Sequence, residues 1–388
     1  ARRNPAAPPF KLPMEKTAHK KNLRRLAPVR LGITLLCLLA VALIYALRVD
    51  KGAMLWVYEH VTHPYHLFMS KLCSHFAFSA AELVYAAAIL GLAAYLLWCV
   101  YRLIRFPEKL WQLYRLVLTL AMAGAVFWAG LSVMWTPCYY APGFAEQSGV
   151  DDGPLELEEL ETVTRWFAAL ASEYADEVPR DENGACTTDR DSVLDRAAGV
   201  FEGAAELYPF LDGEALRPKP IHFSRIMSYL DFTGFFFPMT GEANLNMDSP
   251  VFLLPSTSQH EISHQRGVAM EQECNFVAVL SCLESEYADF RYAGAALAYI
   301  YLGNALAGAD YEAYTEIYYS LSDTVRADFK AQSAYWDEFR DSAAQKASNT
   351  VYDSFLKSNG QELGMQSYGA CVNLLVHYYI DEAREALG

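Results

Sequence analysis

Three apolar stretches in the first third of the chain constrain everything that follows. The first, "LGITLLCLLAVALIYAL" at residues 31–47, carries no charge and is bracketed by Arg30 and Arg48. The second runs from Leu83 to Ile104, and the third, "LVLTLAMAGAVFWAGLSVMW", covers residues 116–135. An α-helix needs about 20 apolar residues to cross roughly 30 Å of hydrocarbon, so three transmembrane helices are expected at about 31–48, 83–104 and 116–135. The apolar core of a signal peptide is only about 7–15 residues long and is followed by a small-residue cleavage site. The first stretch is longer and has no such site before Asp50 and Lys51, so a retained anchor is expected.

Basic residues near helix ends set orientation. Residues 1–30 hold nine Lys or Arg against the single acid Glu15, and the loop "RLIRFPEKLWQLYR" between the second and third spans adds Arg102, Arg105, Lys109 and Arg115. The longer loop between the first two spans has only Arg48, Lys51 and Lys71. The basic tail (1–30) is therefore expected in the cytoplasm of a bacterial cell. A membrane domain (31–136) follows, and residues 137–388 are expected outside the cytoplasmic membrane. Despite its basic tail the whole chain carries a net charge of −15, which speaks against nucleic acid as a partner of the acidic body. The lipid bilayer is the first partner expected. His60, His63, His66 and His75 in the outer loop have no acid or cysteine pattern to complete a ligand set, and that loop reads as an amphipathic segment at the interface.

The body beyond residue 136 reads as mainly α with a small β-sheet. "LELEELETVTRWFAALASEYADEV" and residues 191–207 have helical periodicity with early acids. Residues 218–256 are rich in aromatics, Gly, Pro and Asn and read as short strands and loops. From residue 258 helices return. Five of the eight cysteines, Cys138, Cys186, Cys274, Cys282 and Cys371, fall in this body without a CxxC pair, so no full disulfide framework is implied.

The chemistry concentrates in "HEISH", residues His260, Glu261, Ile262, Ser263 and His264. Positions i and i+4 share a helix face, so both imidazoles can reach one metal ion. The intervening glutamate stands beside them, where it can take a proton from a water polarised by the ion. A catalytic zinc site takes three protein ligands and keeps one position open. After a stop at Gly267, the next helix opens with Glu271 and Glu273, the two available carboxylates. Counting helical rise slightly favours Glu273, whereas Asn275 lies four residues after Glu271 and on its face, where it could support a ligand. Arg266 is expected either to orient a carboxylate or to cap the helix end. Tyr368 and His222 are candidates for stabilising an oxyanion. "TGEANLNMDSPVF", with Asn244 and Asn246 on one face, is a candidate sheet edge for an added substrate strand.

"E-x-x-C-N-x-x-A", as Glu271, Cys274, Asn275 and Ala278 stand, resembles the third-ligand helix of gluzincin peptidases of the ImmA/IrrE type, although the spacer before it is far shorter here. In those peptidases the glutamate four before the asparagine binds zinc, which implies Glu271 as third ligand with Glu273 as runner-up. Over most of its length, through the three spans, "FTGFFFPMTGEANLN", "HEISHQRG", "EQECNF" and a late "SYG", the chain resembles a family of bacterial multi-pass membrane proteins. That family is known as a domain of unknown function with a zincin-like signature, and its usual "EDEANF" stands here as "EQECNF". The resemblance implies a membrane-anchored, mostly helical gluzincin-like domain with one catalytic Zn²⁺. His260, His264 and Glu271 would hold the ion, Glu261 would be the base, and a peptide or protein would be the substrate. The alternative is a zinc-binding membrane sensor or assembly protein without catalysis.

Overall fold

The computed structural model describes residues 26–214, 216–361, 364–365 and 370–388. The chain is mainly helical. Helix α1 (Pro28–Leu47) is followed by α2 (Lys51–Val57), a π-helical turn (Tyr58–Thr62) and α3 (His63–Ser74). Then come α4 (Ala80–Arg105), α5 (Lys109–Met134), α6 (Thr136–Tyr140), α7 (Phe144–Ser148), α8 (Leu157–Ala175) and α9 (Arg190–Leu207). The sheet region holds β1 (Lys219–Ile221), α10 (Ser224–Tyr229), β2 (Gly234–Phe237) and β3 (Glu242–Asn246). The remainder is α11 (Leu254–Gln265), α12 (Glu271–Leu283), α13 (Ala288–Ala309), α14 (Tyr311–Ser320), α15 (Asp323–Asp337), α16 (Ala343–Ser358) and α17 (Cys371–Leu387).

Helices α1, α4 and α5 are each long and apolar enough to cross a membrane. The last two begin earlier than their apolar runs, because helix continues through polar flanks that the hydropathy pattern leaves out. The chain forms two compact units, one of them containing Ala87–Ser132 and the stretch ending at Ala46, the other Leu47–Ala86 with Val133–Gly388. Within the first, the Arg30 guanidinium donates to Thr119 Oγ1 at 2.8 Å, and Tyr45 meets Trp128 edge-on.

The second unit is built around α11. Its core includes Phe167 from α8, Phe201 from α9, Phe276 from α12, Phe290 and Leu302 from α13 and Leu375 from α17, all essentially fully buried. The sheet order is β1–β3–β2, with β1 parallel and β2 antiparallel to the central β3. Strand β3, expected as an exposed edge, is therefore paired on both sides, and it cannot take an added strand. All five of its residues are buried, and its polar alternation has a structural cause. The Glu242 carboxylate accepts the backbone N–H groups of Ala80 (3.1 Å) and Ala81 (2.9 Å) in the first turn of α4. Asn244 Oδ1 accepts from the Ser79 hydroxyl at 2.7 Å. The Asn246 amide donates to Ser228 Oγ and the Phe232 carbonyl. In return Glu82, also in that first turn, accepts the backbone N–H groups of His222 and Phe223, both at 2.9 Å. A carboxylate on the orphan N–H groups at a helix start is favoured by hydrogen bonding and by the helix dipole together.

The segment expected as an amphipathic stretch at the interface belongs to this unit. Thr62 Oγ1 donates to the Val133 carbonyl at 2.8 Å and Tyr65 to that of Met239 at 2.9 Å. His66 is buried between Trp135 and Phe236. No metal cluster includes these histidines among the described residues, and all eight cysteines are free.

Because Glu242 is buried and Glu82 is half-exposed, their removal should differ in cost. Glu242→Ala strands one buried and one partly buried N–H group and is expected to destabilise the detergent-solubilised chain by roughly 2–4 kcal/mol, against about 1 kcal/mol or less for Glu82→Ala. Thermal and denaturant unfolding of the two variants checks the difference.

Candidate metal centre

Helix α11 is polar along most of its length, and all but Thr257 of its residues are buried. A 3₁₀ turn (Val251–Leu253) leads into it and Pro255 sits in its first turn, where a missing N–H costs nothing. Its hydroxyls donate within the helix: Ser256 and Thr257 to Leu253, Ser258 to Pro255 and Ser263 to Gln259. Gln259 donates to the Ala197 carbonyl of α9 and Gln265 to that of Gly241. The helix stops at Gly267, whose φ is +93° and where a Cβ would fall 2.0 Å from the Tyr58 hydroxyl. That hydroxyl donates to the Arg266 carbonyl at 3.0 Å, so the π-helical turn holds the end of α11.

The turn brings the start of α12 back beside the two histidines. His264 Nδ1 lies 2.8 Å from the Val268 carbonyl, an acceptor only, so the ring proton sits on Nδ1 and the lone pair is on Nε2. His260 Nδ1 lies 2.8 Å from Asn275 Oδ1 and is held in the same tautomer. Both Nε2 atoms then face one oxygen, Glu271 Oε2, at 3.1 Å from His260 and 3.7 Å from His264. Ligand atoms about 2.0–2.2 Å from a tetrahedral zinc ion stand about 3.3–3.6 Å apart, so the chemistry of the donors and the separation of each Nε2 from Glu271 Oε2 are close to those of a zinc site. Burial acts to raise the Glu271 pKa, and the adjoining His264 and His260 imidazoles more than offset it, holding the group below the usual carboxylate range. The Tyr352 hydroxyl of α16 donates to the other oxygen, Oε1, at 2.6 Å.

Glu261 points from α11 toward β2. Its Oε2 is buried without a hydrogen-bond partner, and Gly234 leaves room for it, since a Cβ there would stand 2.5 Å from Oε1. Burial pushes the Glu261 carboxyl up to about 7, with His260 and His264 pulling it down and Glu271 adding to the rise.

The two glutamates of α12 part company. Glu273 faces away from the histidines and accepts the backbone N–H groups of Phe144 (2.9 Å) and Ala145 (3.1 Å), against Gly143, where a Cβ would collide with its carboxylate. Two residues on a helix are about 200° apart, so one carboxylate cannot follow the other. His260, His264 and Cys274 also lie within 4.8 Å of one another and could hold a metal. The Cys274 sulfur, however, is 3.2 Å from Nδ1 of His264 and from the Val268 carbonyl, on the side of the ring that already carries the proton. Burial pushes that thiol up to about 12, which opposes the thiolate a ligand needs.

Of the other sequence candidates, Asn275 lies against His260, and Arg266 stands at the C-terminal cap of α11. The Arg266 guanidinium turns to Glu202 at 3.3 Å and lies over Phe201, because the helix end directs it to α9. The backbone N–H of His222 donates to Glu82 and its ring stacks on Phe223. Tyr368 lies outside the described residues. Two contributors carried no motif: Tyr352, one of 25 tyrosines, and Trp135, the first residue after α5, whose ring lies 5.6 Å from that of His264.

Residues 58–376, most of the chain, match the family described as Protein of unknown function (DUF3810), and the chain belongs to that family. No curated protein and no solved structure matches it.

The geometry separates the candidate ligands by experiment. Glu271→Gln and His264→Ala are expected to lower zinc affinity at least about tenfold, whereas Glu273→Ala and Cys274→Ser keep it, with Glu273→Ala less stable. Metal content of the four purified variants after dialysis against a graded chelator distinguishes them.

Proposed function

We propose that this chain is a membrane-anchored zinc metallopeptidase whose catalytic unit lies outside a bacterial cytoplasmic membrane. The observation that carries the reading is the meeting of His260 Nε2 and His264 Nε2 at Glu271 Oε2, with the Glu261 carboxylate beside them and unpartnered at Oε2. A structural metal site needs no base. When bound, the ion supplies a Lewis acid that brings water close to ionisation at neutral pH. His260, His264 and Glu271 would hold it, with Asn275 and the Val268 carbonyl fixing the rings and Tyr352 fixing the carboxylate.

Glu261 takes a proton from the attacking water as the new C–O bond forms. It returns that proton to the leaving amine as the C–N bond breaks. Strand β2 gives an extended substrate a place to lie. The Thr233 carbonyl accepts the Asn246 N–H, so by antiparallel alternation the backbone groups of Gly234 and Phe236 point to the outer edge. A peptide added along that edge would pass Gly234 and hence Glu261.

One observation favours a second reading, a zinc-binding sensor or assembly protein without catalysis. His260, Glu261, His264 and Glu271 are exposed by only 9%, 4%, 6% and 2%. The two readings part at Glu261. Under the first, Glu261→Gln lowers cleavage of a mixed peptide library by about 10²–10⁴-fold with zinc content unchanged; under the second, wild type and variant do not differ. Gly234→Ala, which crowds Glu261 by its Cβ alone, is expected to lower the same activity by at least about tenfold while leaving the unfolding temperature nearly unchanged.

A further inference from the structure

Helix α10 has its polar residues on the inside. Ser224 and Ser228 are buried against β3, where Ser224 Oγ accepts the Met247 N–H and Ser228 Oγ accepts from Asn246. Its outer face is apolar: Phe223 and Ile226 are each 56% exposed, with Tyr229 and Leu230 beside them. Steps of three and four residues put these on one side of the helix. Arg225, on a different side, is engaged by Asp248 and Glu338, so no charge interrupts the stripe. In water such a face is a cost without return. Against lipid it is a binding surface.

Its neighbours say which solvent it meets. The backbone N–H groups of His222 and Phe223 are held by Glu82 in the first turn of α4, a helix long and apolar enough to cross a membrane. The apolar run of that helix starts one residue later, at Leu83. Phe223 is therefore level with the point where α4 becomes hydrocarbon-compatible. Phe76 and Phe78, stacked at 5.3 Å and both exposed, come just before α4. Phe78 borders an open hollow together with His222 and Ser224, the residues on either side of Phe223.

We propose that the outer face of α10, together with Phe76 and Phe78, is a bilayer-docking surface that sits among the headgroups and upper acyl chains where α4 enters the membrane. Aromatic and aliphatic side chains at that depth exchange water for lipid while their backbone stays paired within the protein. The surface extends the membrane contact of the spans into the second unit. Because β2 begins only four residues after Leu230, at the glycine that abuts Glu261, docking also fixes the metal centre beside the membrane surface.

Photo-crosslinking tests this on the full chain reconstituted into vesicles of phosphatidylcholine and phosphatidylglycerol. A benzophenone amino acid replaces Phe223, Ile226 or, as a control, the 70% exposed Tyr319 of α14. All three side chains are largely exposed, so the replacements leave the fold intact, which the unfolding temperature verifies. The expected result is phospholipid adducts at Phe223 and Ile226 at least about tenfold more abundant than at Tyr319. Covalent dimers in place of lipid adducts would assign the face to a second copy of the chain and overturn the proposal. So would yields no higher than the control. Neither outcome bears on Glu261 or on zinc, so the peptidase reading stands or falls separately.

Discussion

A polar helix buried along its length is the constraint on which the second unit depends. Burying an unpaired hydroxyl, amide or imidazole costs about 1–3 kcal/mol each, and α11 carries serines, glutamines and two histidines with almost no exposure. The helix is tolerable only because its neighbours are arranged to receive it. Helix α9 and the β2–β3 turn supply carbonyls to Gln259 and Gln265, and α12 supplies Asn275 and Glu271 to His260. Two side-chain oxygens of the helix, Gln259 Oε1 and Glu261 Oε2, are buried without a protein partner.

The same rule explains the acids that lie away from the candidate metal centre. Glu242 and Glu273 are buried, and each accepts two backbone N–H groups at the start of a helix, α4 and α7 respectively. Both helices adjoin ends of the apolar spans: α4 is itself one, and α7 follows α5 by nine residues. Trp135, immediately after α5, packs on His264. Within the second unit, the first turn of α4 and the residues just after α5 are thus joined to the sheet and to the candidate site by hydrogen bonds and ring contacts.

Legibility in the sequence followed the range of the interactions. The spans and the i, i+4 histidines are local patterns: three helices long and apolar enough to cross a membrane form, and both imidazoles come to Glu271 from α11. Glu271 and Glu273 could not be separated from rise-counting alone, since the answer depends on a partner 128 residues away, the N–H of Ala145. Glu242, Asn244 and Asn246 mimic the alternation of a half-exposed strand. Their polarity in fact answers α4 and α10 across a buried layer, which made a central strand look like an edge. In residues 51–74 the partners of His66, Trp135 and Phe236, are likewise distant in sequence. Tyr352 had no signal at all, because a hydroxyl 81 residues from its carboxylate leaves no spacing to recognise.

The central claim is that two imidazole nitrogens and one carboxylate oxygen share a focus that suits zinc. X-ray absorption at the zinc edge on the purified full chain reads that donor set directly. The account predicts a shell of nitrogen and oxygen donors only, at about 2.0–2.2 Å, with the outer-shell signature of two imidazoles. A sulfur donor at about 2.3 Å would move the site to Cys274 and contradict it, and so would a chain that retains no zinc.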